Sequence, residues 1–157
     1  MIAKTLSAFK SKITYASLSY AVTGSARRSD ADMNDLVFTG VETGGTKILA
    51  RIVDARGRTL ADGRWPTTTP EAALEALTTF LAGAAAGRPL AGIGIAAFGP
   101  LVRDEVSPDY GGVLNTHKAN WSGSNLRAGL AGRFAVRVVI DTDVNAAARA
   151  EWQGGAG

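Results

Sequence analysis

Residues 37–54 read VFTGVETGGTKILARIVD, a segment in which two β-branched runs flank the turn at residues 43–45. Such runs around paired glycines are typical of an antiparallel β-hairpin. Paired glycines permit positive φ and a close approach of ligand to backbone, and successive N–H groups in such a turn can form an anion-binding nest. The segment is therefore either an ordinary hairpin turn or a phosphate-binding loop, with Thr46 and Lys47 beside it.

Outward from the hairpin, short apolar runs alternate with amphipathic segments. The run at residues 91–97 is wholly apolar and bounded by turn residues, as in a strand buried on both faces. Residues 101–121 are polar and turn-rich, which predicts a long functional loop or a small hairpin. The complete prediction is strands at 37–42, 47–54, 58–65, 91–97 and 136–140, and helices from Pro70 to between Gly83 and Gly87, from Leu126 to Phe134 and from Ala146 to Trp152. This order of elements predicts an α/β domain.

Two of the apolar strands end in residues that can carry chemistry. Residues 98–100 (Phe-Gly-Pro) follow the first of them, and residues 141–145 (Asp-Thr-Asp-Val-Asn) follow the second. If both strands run parallel, these segments share the sheet edge at which ligands bind in open α/β folds. A carboxylate there can accept a proton from an attacking hydroxyl. Asp is also a good helix N-cap, so either Asp141 or Asp143 could be only a cap, and residues 98–100 could be only a turn.

Composition excludes several classes of protein. The 157-residue chain favours one domain, and the absence of cysteine excludes disulfides, cysteine-ligated zinc and a cysteine nucleophile. One histidine, His117, cannot build a metal site alone. No apolar run approaches the roughly 20 residues that a membrane span needs, so a cytoplasmic protein is expected. Of the net charge of +3, most belongs to residues 1–36, and a nearly neutral body is a poor partner for nucleic acid.

Residues 1–36 differ from the rest of the chain. They are rich in Ser, Ala, Thr and Lys and show neither a helical stripe nor strand alternation. We expect a poorly ordered extension, which is either a transit-like presequence or an untidy start ahead of an initiator at Met33.

The order and spacing of these motifs resemble the ROK (repressor, open reading frame, kinase) sugar kinases of the actin-like ATPase superfamily, from about Phe38 onward. Residues 40–47 resemble the family's first phosphate loop, residues 92–100 the border of its sugar pocket, and residues 141–145 its catalytic segment. Within the intervening loop, one set of residues is similar to a signature of the fructokinase branch. That set is Tyr110-Gly111, Thr116, Lys118 and Trp121, with His117 and Asn120 where the signature has Pro and Gly.

The resemblance implies a fold and a set of site residues. Residues 37–157 are expected to form the N-terminal lobe of the actin-like (ribonuclease H-like) fold, a mixed sheet with flanking helices. Asp143 is the implied general base. The implied neighbours of the ATP phosphates are Glu42, Gly44, Gly45, Thr46 and Lys47, with Glu42 reaching Mg²⁺ through water. The implied sugar contacts are Phe98, Gly99, Pro100, Thr142 and Asn145, where Thr142 replaces the family's usual Asn.

The same resemblance implies a reaction, the phosphorylation of fructose to fructose 6-phosphate by ATP. A glucokinase or amino-sugar kinase is the close alternative, and a sugar-responsive ROK repressor or an inactive kinase fragment are others. The family's second phosphate loop, zinc cluster and adenosine segment have no counterpart in this sequence, so the chain is expected to stop before the second lobe and to be inactive alone. Partners are expected to be sugar, ATP and, for the full-length protein, a second copy, but neither nucleic acid nor membrane.

Overall fold

The computed structural model describes residues 35–85 and 87–146. The predicted extension therefore lies almost wholly outside the described residues, and so does the predicted helix from Ala146 to Trp152. Leu36 belongs to the predicted extension but lies within the described residues. It is 1% exposed and packs with Phe38 and Val53 in a small apolar cluster, so the folded body already includes it.

The described chain forms one five-stranded mixed sheet, as the sequence predicted. The elements in chain order are β1 (Val37–Thr43), β2 (Lys47–Asp54), β3 (Thr59–Pro66), α1 (Pro70–Ala84), β4 (Leu90–Ala97), α2 (Leu126–Phe134) and β5 (Arg137–Thr142). The strand order across the sheet is β3-β2-β1-β4-β5. The first three strands are antiparallel neighbours, whereas β1, β4 and β5 run parallel. The parallel arrangement of the two apolar strands, on which the predicted site depends, is thus confirmed.

Predicted element boundaries differ from the observed ones mainly at β5. The sequence predicts that this strand ends at Ile140, but it continues through Asp141 and Thr142. These two residues pair with Ala96 and Ala97 of β4, so strand pairing extends the element past the last apolar residue. A segment expected to be a helix lead-in is therefore partly held in the sheet.

The main core lies between one face of the sheet and the two helices. Alternate residues of the strands face it, among them Val41, Ile52 and Ile95, together with Leu77 of α1. The helices approach closely where α2 has a glycine: a Cβ atom added at Gly129 would lie 2.7 Å from a methyl carbon of Leu74.

Local chemistry explains where the helices begin. Thr69 precedes Pro70 at the start of α1, and its hydroxyl accepts a hydrogen bond from the amide of Ala72 at 3.3 Å. Asn125 caps α2 in the same way through Ala128, at 2.9 Å. Both are ordinary N-caps, which satisfy amides that have no partner inside the helix. Neither helix is long and apolar enough to cross a membrane.

The segment between β4 and α2 folds back on itself, which confirms the small-hairpin interpretation. Leu101 and Val113 form an isolated antiparallel bridge. Beside it, the amide of Val102 donates to Gly112 at 2.9 Å, and the amide of Gly111 donates to Val102 at 2.8 Å. Trp121 is 1% exposed and donates from its indole N–H to the carbonyl of Thr68 at 2.9 Å. The loop is therefore tied to the start of α1.

Candidate active site

The carboxyl ends of the three parallel strands meet at one edge of the sheet. Thr43 at the end of β1 pairs with Ala97 of β4, which pairs in turn with Thr142 of β5. The amide of Phe98 also donates to the carbonyl of Thr43 at 3.1 Å. The hairpin turn, residues 98–100 and residues 141–145 are consequently neighbours, as the sequence predicted.

The hairpin turn is narrow and is held by other parts of the chain. The amide of Gly44 donates to the carbonyl of Lys47 at 2.9 Å, which closes the turn. Thr67 donates its hydroxyl to the carbonyl of Gly44 at 2.7 Å and its amide to the carbonyl of Thr46 at 3.0 Å. The ammonium group of Lys118 donates to the carbonyl of Gly45. The carbonyls of Gly44, Gly45 and Thr46 therefore all accept hydrogen bonds. Gly45 and Thr46 nevertheless stay exposed to solvent.

The conformation of the turn does not use the full freedom of its glycines. Neither Gly44 nor Gly45 has a positive φ, so the left-handed conformation that a glycine pair permits is not used here. Space gives a different reason for the glycines. A Cβ atom at Gly44 would lie 3.1 Å from the carbonyl of Lys47, whereas one at Gly45 would meet nothing within 4 Å. The fold itself therefore requires no glycine at position 45.

Glu42 links the hairpin electrostatically to residues 141–145. Its side chain is half-buried at the end of β1. Burial raises the pKa of Glu42 above its ordinary value, the positive charge of Lys47 opposes this, and the negative charge of Asp143 raises it further. The two carboxylates are therefore close enough to sense each other's charge.

Residues 141–145 form a hydrogen-bonded unit in which Asp141 is the organising group. Its Oδ1 accepts hydrogen bonds from the amide of Thr142 at 2.8 Å and from the side-chain amide of Asn145 at 3.0 Å. The same oxygen lies 3.1 Å from Nε of Arg103, in an ion pair with the loop. Asp141 thus faces the protein and is engaged on several sides.

The helix cap in this unit is Thr142, so the alternative in which Asp141 or Asp143 is only a cap is wrong. A helical turn covers residues 143–146, and the hydroxyl of Thr142 accepts from the amide of Asn145 at 3.3 Å. Asp143 is exposed, and its Oδ1 accepts from the amide of Val144 at 2.8 Å. Because another residue supplies the cap, Asp143 remains available for a different role.

The predicted sugar-pocket residues border this segment. A Cβ atom at Gly99 would lie 3.4 Å from the methyl carbon of Thr142, so the two predicted sugar-binding segments touch. Gly99 and Pro100 are exposed and joined by a cis peptide bond. Phe98 is half-buried, with its ring edge-to-face against Trp121 at 5.1 Å between centroids. The contact roles of Phe98, Gly99, Pro100, Thr142 and Asn145 stay predictions.

Sequence reasoning missed several residues that shape the site. Thr67 gave no signal, since a lone threonine after a strand has many uses. Lys118 stands in the fructokinase-branch signature, but the sequence does not predict its contact with the turn. Asn120, where that signature has glycine, has a φ of 66°. Asn tolerates this left-handed conformation better than most other side chains, and glycine adopts it freely.

Within residues 35–85 and 87–146 no group of three or more His, Asp or Glu side chains is arranged to hold a metal ion.

Comparison with known proteins identifies the family. The sequence profile of the ROK family matches residues 38–157. A fructokinase of Zymomonas mobilis subsp. mobilis is 39% identical over 117 residues, covering 73% of this chain and 39% of that protein. A glucokinase of Streptomyces coelicolor is 35% identical over 119 residues, covering 75% of this chain and 36% of that protein. The chain thus spans less than half the length of these relatives.

Comparison with a solved structure identifies the fold. The ROK family glucokinase from Streptomyces griseus, in complex with glucose and AMPPNP, superposes with a TM-score of 0.61 at 34% identity. The superposition covers 77% of this chain and 38% of that one. The predicted actin-like ATPase lobe is therefore confirmed, and the relatives of the chain are sugar kinases. The chain belongs to the ROK family.

Proposed function

We propose that this protein contributes the N-terminal lobe of a kinase that transfers the γ-phosphoryl group of ATP to a hexose hydroxyl, with fructose as acceptor and fructose 6-phosphate as product. The observation that carries the proposal is the convergence of the hairpin turn and Asp143 at one sheet edge, where Asp143 raises the pKa of Glu42. Phosphoryl transfer needs a phosphate-holding turn and a proton acceptor positioned together, and relies mainly on positioning and charge neutralisation.

Asp143 is the proposed general base. Its carboxylate is exposed at the carboxyl end of β5, beside the segment predicted to contact the sugar. The amide of Val144 hydrogen-bonds one carboxylate oxygen and fixes the orientation of the group. In the proposed reaction the carboxylate accepts the proton of the sugar hydroxyl as that oxygen bonds to the γ-phosphorus of ATP and the bond to the leaving ADP breaks.

The hairpin turn is the proposed phosphate site. At Gly45 the backbone is exposed and open to a ligand, which accounts for a glycine that the fold does not require. Two cations lie beside it, because Lys47 begins β2 and Lys118 reaches the Gly45 carbonyl. Thr46 adds an exposed hydroxyl. Backbone N–H groups, a hydroxyl and ammonium groups are the donors that phosphates require.

The same edge fits Mg²⁺ as the partner of ATP. Glu42 is a hard oxygen donor that would act through water, and a divalent cation beside it would relieve its repulsion with Asp143. When bound, Mg²⁺ neutralises charge on the transferring phosphates.

Fructose is the proposed acceptor because of the signature residues and of the relatives. Tyr110, Gly111, Thr116, Lys118 and Trp121 match the fructokinase-branch signature, and Asn120 keeps a conformation suited to glycine. The fructokinase of Zymomonas mobilis is 39% identical. The second candidate acceptor is glucose, favoured by the 34% identity to a structure holding glucose and AMPPNP.

The proposal is tested in an enzyme that joins this lobe to the second lobe of a ROK family sugar kinase. Asp143→Asn should lower kcat by about 10²-fold or more, because general-base assistance contributes roughly 10²–10⁴-fold. The KM for the sugar should change far less, since the proton moves only as the transition state forms.

Asp141→Asn is the matched control. Asp141 holds Arg103 and Asn145, so this variant should lower the melting temperature more than Asp143→Asn does, with a smaller loss of kcat. If Asp143→Asn is nearly fully active, or Asp141→Asn alone is inactive, the assignment of the base is wrong. Comparing kcat/KM for fructose, glucose and an amino sugar decides the acceptor, and a higher value for glucose would overturn fructose.

A further inference from the structure

We propose that Tyr110 is a positioning residue that holds the carboxyl end of β5, and through it Asp143, in the geometry needed for proton transfer. This inference rests on the proposed function. It assigns a task to a loop tyrosine whose hydroxyl is buried against β5.

The hydroxyl of Tyr110 makes two hydrogen bonds with one residue of β5. The amide of Ile140 donates to the Tyr110 oxygen at 3.1 Å, and the Tyr110 hydroxyl donates to the carbonyl of Ile140, also at 3.1 Å. Tyr110 is 6% exposed, so both bonds lie in a site shielded from water. A buried group that serves as donor and acceptor to the same residue fixes both the position and the rotation of that peptide.

β5 requires such a partner because it is an edge strand of the described sheet. β4 pairs with it on one side only, so alternate backbone groups on the other side need partners from elsewhere. Two side chains of the loop and α2 supply them. Nε of Arg127 donates to the carbonyl of Val138 at 3.1 Å, and Tyr110 pairs with Ile140 two residues further on. Side chains thus do here what a sixth strand would do with its backbone.

The surroundings of Tyr110 fit it to this position. The guanidinium carbon of Arg127 lies 4.6 Å from the centre of the Tyr110 ring, and the side-chain amide of Asn125 donates to the Tyr110 carbonyl at 3.0 Å. Gly111 has a φ of 88°, and a Cβ atom there would lie 2.9 Å from Arg127 and 3.1 Å from Ile140. A larger residue at position 111 would push the tyrosine away from the strand.

The two hydrogen bonds between Tyr110 and Ile140, which we call the clamp, lie directly before the segment that carries Asp143. Ile140 precedes Asp141, which Arg103 holds, and then Thr142, which begins the helical turn. A change in the twist of β5 at Ile140 therefore displaces the Asp143 carboxylate. Displacement of a reacting group by about 1 Å can cost a reaction about 10²-fold.

The test is Tyr110→Phe, which keeps the ring and its contact with Arg127 and removes only the hydroxyl. In the two-lobe enzyme we expect kcat to fall about 10-fold or more with a change in sugar KM of less than about threefold, because the loss is in orientation rather than in binding. Arg127→Met, which acts further from Asp143, should have a smaller effect on kcat. Thr69→Ala is the stability control, since it removes the N-cap of α1 without touching β5.

A second readout does not depend on activity. In the 157-residue chain, hydrogen exchange at the amide of Ile140 should be faster in Tyr110→Phe than in the wild type, and should be unchanged in Thr69→Ala. An unchanged rate at Ile140 would overturn the clamp whether or not the enzyme phosphorylates sugar. Unchanged kcat in Tyr110→Phe, or an equal loss in Thr69→Ala, would overturn the positioning role. A wild-type enzyme that phosphorylates no sugar would instead refute the proposed function, with the exchange rate still deciding the clamp.

Discussion

Replacing Gly45 with alanine separates a structural glycine from one that serves a ligand. A Cβ atom at this position would meet no atom within 4 Å, and the residue does not have a positive φ. The folded state therefore accommodates alanine without strain, while the unfolded chain loses freedom. We expect the free energy of unfolding to stay the same or to rise by about 0.4–1 kcal/mol.

The effect on ATP should be opposite in sign. If a phosphate group lies against the exposed backbone of the turn, the added methyl group separates it from at least one N–H donor. Hydrogen bonds to charged groups are worth roughly 1.5–3 kcal/mol. Because about 1.4 kcal/mol corresponds to a factor of ten, the KM for ATP should rise about 10- to 100-fold.

Thermal unfolding of the 157-residue chain and steady-state kinetics of the two-lobe enzyme measure the two effects. Gly132→Ala is the matched control, because a Cβ atom there also meets nothing within 4 Å but the residue lies in α2. It should stabilise the protein by about 0.5–1 kcal/mol and leave the KM for ATP unchanged. A clear fall in the melting temperature of Gly45→Ala, or a normal KM for ATP, would refute the reasoning.

Two further predictions concern stability. Asn120 has a φ of 66°, a conformation that a β-branched side chain disfavours. Asn120→Val should therefore lower the free energy of unfolding by about 1–2 kcal/mol, whereas Asn120→Gly should change it little. A denaturant titration that finds the two variants equally stable would contradict this. Burial raises the pKa of Glu42, so the folded state favours the protonated side chain. The stabilisation from Glu42 is fully present below the unfolded-state pKa and is lost as pH rises through the folded-state pKa. Glu42→Gln should therefore raise the melting temperature at pH 7 but not below about pH 4, and a gain that is the same at both pH values would exclude this cause.

Much of the fold could be predicted because its signals are local. The β-branched runs around Gly44 and Gly45 predict β1 and β2, and Pro70 predicts the start of α1, because strand, turn and cap preferences act within a few residues. The end of β5 could not be predicted in this way. Asp141 disfavours strands by itself, and it joins the sheet together with Thr142 because Ala96 and Ala97 lie beside them.

The candidate site could likewise be predicted only in part from local signals. Residue type and order predict which segments could carry the chemistry, because a glycine-rich turn and an Asp-Thr-Asp segment after apolar strands are local patterns. The groups that hold the fold are visible only in the three-dimensional structure: Thr142 rather than an aspartate caps the helical turn, and Tyr110 rather than a strand pairs with Ile140. The physical reason is that a polar group's partner depends on which other donors and acceptors come within about 3 Å of it. For Lys118 and Gly45, or Tyr110 and Ile140, those partners lie far apart in the chain and meet only when the sheet has formed.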